Sequence, residues 1–156
     1  MRFWSVPTAN LSQTEAKAWT GLLRAHAALV REVDCELRAA HGLPLSWYDV
    51  LREAASTPDG RIRMGELAAR VMLTRAGLSG LVDRLERANL VERRPCAGDA
   101  RGTYAVVTRE GRRLLERADL THRDAVRHRY TSHFDDAELE LVGRVWERVA
   151  ADGRPN

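Results

Sequence analysis

Apolar side chains recur at helical spacing along the first third of the chain, and this pattern predicts one long amphipathic helix. The segment Ser12-Gln-Thr-Glu15 is a capping box, because a hydroxyl and a carboxylate three residues apart can satisfy the free N–H groups at a helix start. The helix is expected to end near Gly42, since glycine readily takes the left-handed conformation there. The apolar stripe between these ends consists of Trp19, Leu22, Leu23, Leu29, Val30, Val33 and Leu37. So long an apolar face needs a partner to cover it.

Shorter helical and strand patterns fill the rest of the chain. Ser46, Thr74 and Thr108 are expected helix caps, and the capping box Asp135-Asp-Ala-Glu138 starts the last helix. The expected elements are helices over 46–56, 65–71, 74–89, 109–133 and 136–150, and strands over 61–63, 90–94 and 103–107. The residues expected at the tip between the last two strands are Pro95, Gly98 and Gly102. In the last helix the residues expected to face inward are Leu139, Val142, Trp146 and Val149.

Basic residues are concentrated in the middle of the chain. Residues 61–113 carry 12 arginines against 6 acidic residues, whereas the rest of the chain has a net charge of −3 and the whole chain +3. A basic middle between acidic flanks favours an anionic polymer as partner. Chance patchiness of the charges is the alternative.

The predicted helix over 74–89 divides into an apolar and a polar face. The apolar face, assigned to the core, consists of Leu78, Leu81, Val82 and Leu85. The opposite face carries Arg75, Ala76, Ser79, Gly80, Asp83, Arg84 and Arg87. Small side chains let the backbone approach base edges, Arg75 can donate to guanine, and the Thr74 and Ser79 hydroxyls can bond phosphate. The alternative is an ordinary amphipathic helix with a solvated charged face, and the basic hairpin after it argues against that interpretation.

Together these segments resemble the MarR family of winged helix-turn-helix regulators. The resemblance rests on LVDRLERANLVERRPCAGDARGTYAVVTREG, with LPLSWYDVL and RMGELAARV before it, and covers about residues 12–150. It implies a mainly α fold with a small β hairpin: a winged helix-turn-helix DNA-binding domain over 45–108. It also implies that the helices over 12–42 and 109–150 intertwine with those of a second copy as a dimerisation region.

The resemblance also implies roles for single residues. Arg101 is similar to the wing arginine of the family and Asp99 to its usual ion-pair partner, although a solvated surface ion pair is the alternative. The positions expected to bind DNA are Thr74, Arg75, Ala76, Ser79, Gly80, Arg84, Arg94, Asp99 and Arg101. Gly80 departs from the commoner pattern, in which many relatives carry a longer polar residue.

The residues themselves also favour a homodimer, because the first and last helices carry more apolar surface than the winged segment can cover. Two recognition helices related by a two-fold axis would read a pseudo-palindrome in double-stranded DNA, with half-sites about 10 bp apart. The expected function is therefore that of a homodimeric repressor of such an operator. A protein-interaction winged helix is the alternative from another class.

Many proteins of this family release DNA when a small, often aromatic or phenolic ligand binds. The candidate ligand-binding residues here are Trp19, His26, Trp47, Tyr48 and Asp49, because aromatic rings can hold a flat ligand and a histidine can pair its carboxylate. A role of the three aromatic residues in the core or in dimer contacts is the alternative. A redox-responsive repressor that uses Cys96 is a further one, since this thiol follows two arginines, whereas Cys35 falls within a helix.

Other classes of function find no support in the sequence. No GxSxG, HExxH, P-loop or GxGxxG motif occurs, so an enzyme is not expected. We expect no cofactor and no metal, because His122, His128 and His133 are spaced by six and five residues rather than by the four of a helical metal pair. No apolar run approaches the ~20 residues that span a bilayer, and the N-terminus lacks the apolar segment of a secretory signal, so a cytoplasmic location is expected.

Overall fold

The computed structural model describes residues 10–57, 59–96 and 98–152, apart from the side chains of residues 100, 101 and 152. The helices in this part of the chain are α1 (Gln13–His41), α2 (Leu45–Ala55), α3 (Met64–Arg70), α4 (Arg75–Arg87), α5 (Arg109–Arg129) and α6 (Asp136–Asp152). The strands are β1 (Arg61–Arg63), β2 (Val91–Cys96) and β3 (Asp99–Val107), and a short 3₁₀ helix, Thr131–His133, joins α5 to α6. The predicted mainly α fold with a small β hairpin is confirmed.

Local capping chemistry sets the ends of α1 and the start of α6, as predicted. The backbone N–H of Ser12 donates to the Glu15 carboxylate at 2.7 Å, and the Ser12 hydroxyl accepts from the backbone of Glu15 at 3.2 Å. Gly42 ends the helix with a φ of 63°, in the left-handed region that favours glycine. Asp135 and Glu138 exchange the same pair of bonds at the start of α6.

The predicted start of α2 is wrong. The helix begins at Leu45, and Ser46 lies inside its first turn rather than at the cap. The cap position is Pro44, which makes no side-chain cap bond. Instead, the backbone N–H of Leu45 donates to Oδ1 of Asp34 on α1 at 2.8 Å. A carboxylate from another helix therefore supplies the acceptor that the sequence pattern assigned to a local serine.

Two further boundaries differ from the prediction. Helix α5 ends at Arg129 rather than near His133, because the chain tightens into the 3₁₀ turn. Strands β2 and β3 are longer than expected and include Pro95 and Gly102, which leaves a shorter tip. Proline is tolerated there because β2 is an edge strand, and the register shifts between Pro95 and Cys96.

The antiparallel sheet has the order β1-β3-β2 and presents one face to the core. Ile62 pairs with Ala105 on this inner face, and both side chains are buried. Arg63 and Arg94 flank Tyr104 on the outer face. The inner face packs with α2, α3, α4, the C-terminal half of α1 and α5 around one core whose largest fully buried members are Leu37, Leu43, Leu51, Ile62, Leu67, Leu78 and Leu85.

The first half of α1 and all of α6 stand outside this core. Trp146 and Val149, which were predicted to face inward, are 41% and 59% exposed in the single chain. Apolar side chains of α1 are also exposed, among them Trp19, Leu23 and Val30. The apolar stripes are therefore present as predicted, but this chain alone does not cover them. Among the helices described, none combines the length and apolarity needed to cross a membrane.

Candidate nucleic-acid interface

Helices α3 and α4 form a helix-turn-helix whose second helix has the predicted orientation. The Thr74 hydroxyl accepts a hydrogen bond from the backbone N–H of Gly77 at 3.1 Å, so Thr74 is the N-cap, as predicted. The predicted apolar face is buried in full: Leu78, Leu81, Val82 and Leu85 are at most 4% exposed. In the turn, Met72 adopts a left-handed φ of 53° and its side chain is 91% exposed.

The face of α4 opposite the core is open to solvent. Thr74, Arg75, Ala76, Ser79 and Arg84 are exposed, and Gly80 is partly buried. A Cβ atom added to Gly80 would lie 3.9 Å from Nη1 of Arg84, which is ordinary van der Waals contact. The structure thus brings the predicted residues of α4 together on one surface with small side chains at its centre.

The wing, formed by β2 and β3, is tied to β1 by an arginine that sequence reasoning missed. Nη1 of Arg63 lies 3.0 Å from Oδ2 of Asp99, and its guanidinium stands 5.9 Å from the centre of the Tyr104 ring. Only the pairing of β1 with β3 brings Arg63 to the wing, and no local motif signals it. The side chain of Arg101 lies outside the described residues, so its pairing with Asp99 stays a prediction.

Arg93 and Arg94 are neighbours on β2 but point to opposite faces of the sheet. Arg94 is 63% exposed on the outer face and pairs with Glu92 of the same strand. Arg93 lies on the inner face, and its Nη1 pairs with Oδ1 of Asp83 on α4 at 2.7 Å and also with Glu86. Of these two arginines, the sequence analysis placed only Arg94 among the expected DNA-binding residues, whereas the structure connects Arg93 to α4.

A polar groove of about 500 Å³ lies between α3, α4 and the wing. Its charged lining consists of Arg63, Arg75 and Arg93 with Glu66 and Asp99, and Ser79 is also on its wall. Arg63 and Arg93 are paired with carboxylates, so Arg75 at the start of α4 is the lining arginine best placed to donate to a phosphate backbone.

The five predicted ligand residues do not line one pocket in the described part of the chain. Tyr48 is 2% exposed, its hydroxyl donates to Oδ1 of Asp119 at 2.8 Å, and its ring stacks on His122 of α5. Trp47 packs against the core, and burial raises the pKa of the neighbouring Asp49. Tyr48 is therefore a core residue that joins α2 to α5, because α5 supplies partners that the local sequence around Tyr48 does not reveal.

The other two ligand candidates lie on α1. His26 lines an apolar cleft of about 740 Å³ whose opposite wall includes Tyr130, Phe134, Val142 and Trp146. Trp19 is 40% exposed on the same helix and is not part of the lining. The predicted set is thus divided between the core contact at α2 and the open surface of α1.

The two cysteines have the reverse of the accessibility that the redox hypothesis needs. Cys96 is 5% exposed, and a Cβ atom on Gly102 would come within 2.9 Å of its Sγ atom. Cys35 is exposed on α1. Because oxidation requires an accessible thiolate, the close packing of Cys96 argues against its use as a sensor.

The known proteins that this chain resembles are transcriptional regulators of one family. A model of the MarR family matches residues 41–102. The transcriptional repressor YetL of Bacillus subtilis is 30% identical over 115 residues, which cover 72% of this chain and 69% of YetL. The crystal structure of Sco3205 from Streptomyces coelicolor, a MarR family transcriptional regulator in complex with DNA, superposes with a TM-score of 0.89 at 33% identity. That match covers 94% of this chain and 92% of Sco3205.

A further similar structure contains a ligand. CouR from Rhodococcus jostii RHA1, bound to p-coumaroyl-CoA, matches with a TM-score of 0.72 at 25% identity, over 86% of this chain and 92% of CouR.

Proposed function

This chain belongs to the MarR family of DNA-binding transcriptional regulators, and we propose from that premise that it is a homodimeric repressor of a pseudo-palindromic operator. Helix α4 enters the major groove and the β2–β3 wing reaches the adjacent minor groove. The observation that carries this proposal is the open face of α4 beside the polar groove, with its small side chains and its arginines.

The contacts on α4 follow from the chemistry of that face. Arg75 and Arg84 supply positive charge toward the two ends of the helix, and the arginine fork can donate two hydrogen bonds to guanine. Ala76 and Gly80 keep the helix close to the base edges because they add little bulk. The Thr74 and Ser79 hydroxyls bond phosphate or base edges at the N-terminal half.

The wing contributes charge outside the major groove. Arg101 enters the minor groove, and Asp99 holds the hairpin against β1 through its 3.0 Å contact with Arg63. Arg94 contacts the phosphate backbone from the outer face of the sheet. These contacts set affinity and register more than base preference.

A second copy of this chain covers the apolar surface that α1 and α6 expose. The cleft between them is lined almost entirely by apolar atoms from Leu22, Leu29, Phe134, Val142 and Trp146, with few polar groups. Such an exposed apolar surface supports an obligate dimer formed by residues 12–42 and 109–150.

A small aromatic or phenolic ligand releases the dimer from DNA in this proposal. CouR, which binds p-coumaroyl-CoA, supports a ligand of this chemistry. Tyr48 already contacts Asp119 and His122, whereas Trp19 and His26 lie on the surface of α1 that faces the second copy, so the ligand lies between the two copies rather than at Tyr48. Binding acts by favouring a spacing of the two winged lobes that does not fit the operator.

One experiment tests the DNA-binding proposal directly. Random duplexes retained by the purified protein are sequenced, and the affinity of the selected sequence is measured in gel shifts over a range of salt concentrations. We expect a pseudo-palindrome with half-sites about 10 bp apart and an affinity that falls linearly on a double-logarithmic salt plot. Failure to enrich any sequence would favour a winged helix that binds proteins instead. Addition of single aromatic acids to the complex then tests release.

A further inference from the structure

Arg93 on β2 contacts three residues of α4, and no local sequence motif predicts these contacts. Its Nη1 lies 2.7 Å from Oδ1 of Asp83 and also contacts Glu86, while its Nη2 donates to the Ser79 carbonyl at 3.1 Å and to Ser79 Oγ at 3.3 Å. The backbone N–H of Arg93 donates to Glu86 at 2.8 Å. These three partners follow one another on a single side of α4, so one guanidinium spans two turns of the helix.

These contacts pair the positive charge of Arg93 with carboxylates of α4. It faces two carboxylates, and its side chain is only 26% exposed, whereas that of Arg94 next to it is 63% exposed. Arg93 is therefore poorly placed to bind phosphate itself. Its single positive charge offsets part of the negative charge of Asp83 and Glu86, which would otherwise repel the DNA backbone more strongly.

The contact with Ser79 has a consequence for base recognition. A serine hydroxyl has one donor hydrogen and two acceptor lone pairs, whereas a guanidinium can only donate. Because Arg93 donates to Ser79 Oγ, one lone pair is occupied, and the hydroxyl hydrogen and the second lone pair are left for partners across the groove. In the major groove this hydrogen can be donated to N7 of a purine, O6 of guanine or O4 of thymine, and Arg93 biases the hydroxyl toward these acceptors because it takes one of the two acceptor sites of Oγ.

We propose that Arg93 is a positioning residue for base recognition, which fixes α4 against the wing and makes the Ser79 hydroxyl a hydrogen-bond donor to the operator. This inference rests on the proposed function, since it requires α4 to lie in the major groove. It differs from a general structural role because it concerns discrimination between bases at one position of each half-site.

The test compares Arg93→Met with Arg52→Met as matched control. Arg52 is a half-exposed arginine of α2 that pairs with Glu53 and does not line the groove. Affinities are measured for the selected operator, for every single-base variant of its half-site and for unrelated duplex DNA. We expect Arg93→Met to reduce the ratio of specific to non-specific affinity by about tenfold, which corresponds to one good base contact. Arg52→Met should leave that ratio unchanged.

Four further variants separate positioning from charge and from misfolding. Ser79→Ala should reduce discrimination between bases at the same position of the half-site. Arg93→Met combined with Ser79→Ala should discriminate no less than Arg93→Met alone. Arg93→Met with Asp83→Asn and Glu86→Gln removes the unpaired carboxylates, so it should regain overall affinity but not discrimination. Arg93→Lys retains the positive charge without the forked guanidinium, so it should also keep overall affinity but lose discrimination between bases. Circular dichroism and thermal unfolding confirm that each variant is folded.

The outcomes distinguish the two proposals. If the wild-type protein enriches no sequence, the proposed function fails. If the wild-type protein selects an operator and Arg93→Met keeps its full base discrimination, or loses specific and non-specific affinity in equal proportion, only the role assigned to Arg93 is overturned.

Discussion

Tyr48 and His122 stack nearly parallel where α2 meets α5, with ring centroids 4.5 Å apart and ring planes at 21°. Burial lowers the pKa of His122, and the charge of Arg52 lowers it further, against the opposite influence of Asp49 and Asp119. The folded protein therefore keeps this imidazole neutral over a pH range in which the unfolded chain already binds a proton.

The first prediction is that part of the stability depends on pH through His122. Its folded pKa lies below the unfolded value of about 6.5, so the stabilisation is complete above that value and is lost as pH falls toward the folded pKa. We expect the free energy of unfolding of the wild type to fall more steeply below about pH 6.5 than that of His122→Gln. Urea denaturation of both proteins at fixed concentration between pH 5 and 8 measures this. A difference that does not vary with pH would contradict it.

A second prediction concerns Arg101 in the wing. Arg101→Ala should weaken binding to all duplex sequences and lower the slope of the salt dependence by about one unit, because one phosphate-neutralising charge is lost. Gel shifts at four or more salt concentrations give the slope, and Arg52→Met serves again as the control. An unchanged slope would show that Arg101 does not contact the DNA backbone.

Gly80 offers a test in which stability and binding move in opposite directions. Its Cβ position is 3.9 Å from Arg84 Nη1, so an alanine fits without displacing its neighbours. Gly80→Ala should raise the free energy of unfolding by about 0.5–1 kcal/mol, since glycine is a poor residue inside a helix. Operator affinity should fall because the added methyl keeps the backbone from the base edges. Equal or tighter binding would show that position 80 does not approach DNA.

Met72 predicts a stabilising substitution in the turn before α4. Its φ of 53° places a residue with a Cβ atom in the left-handed region. Met72→Gly should raise the free energy of unfolding by about 1 kcal/mol. Asn89, with a φ of 57°, is the matched control, and Asn89→Gly should have a smaller effect because asparagine tolerates this conformation. Chemical denaturation of the three proteins decides between these expectations.

The last prediction concerns the exposed apolar surface of α6. Trp146 is 41% exposed and lines the cleft against α1. Trp146→Glu should convert the protein from dimer to monomer, because it places a charge on the apolar surface of the proposed interface. Light scattering after gel filtration measures the molecular mass, and operator binding should weaken in parallel. A wild-type protein that elutes as a monomer would contradict the assignment of this surface to a second copy.

The sequence predicts best the structural features that depend on residues close together in the chain. The Thr74 cap and the buried side of α4 follow from a hydroxyl before an apolar period, and both are confirmed. The start of α2 could not be predicted, because its acceptor, Asp34, lies eleven residues earlier on another helix.

The same limit applies to the candidate interface. Arg93 and Arg94 look alike in the sequence, and only the register of β2 against β3 turns the first toward α4 and the second outward. Arg63 reaches Asp99 across 36 residues because β1 pairs with β3. For Tyr48, a ring that looked suitable for a ligand is already occupied by Asp119 and His122 of α5.

Asp34 holds Arg38 with one oxygen and the first amide of α2 with the other. A rotation of α1 would therefore be transmitted through Asp34 to the start of α2, which packs against α3 and β3. In the proposed symmetric dimer, this carboxylate of each copy would link the two movements. A small change in the angle between the two copies would then change the distance between their α4 helices.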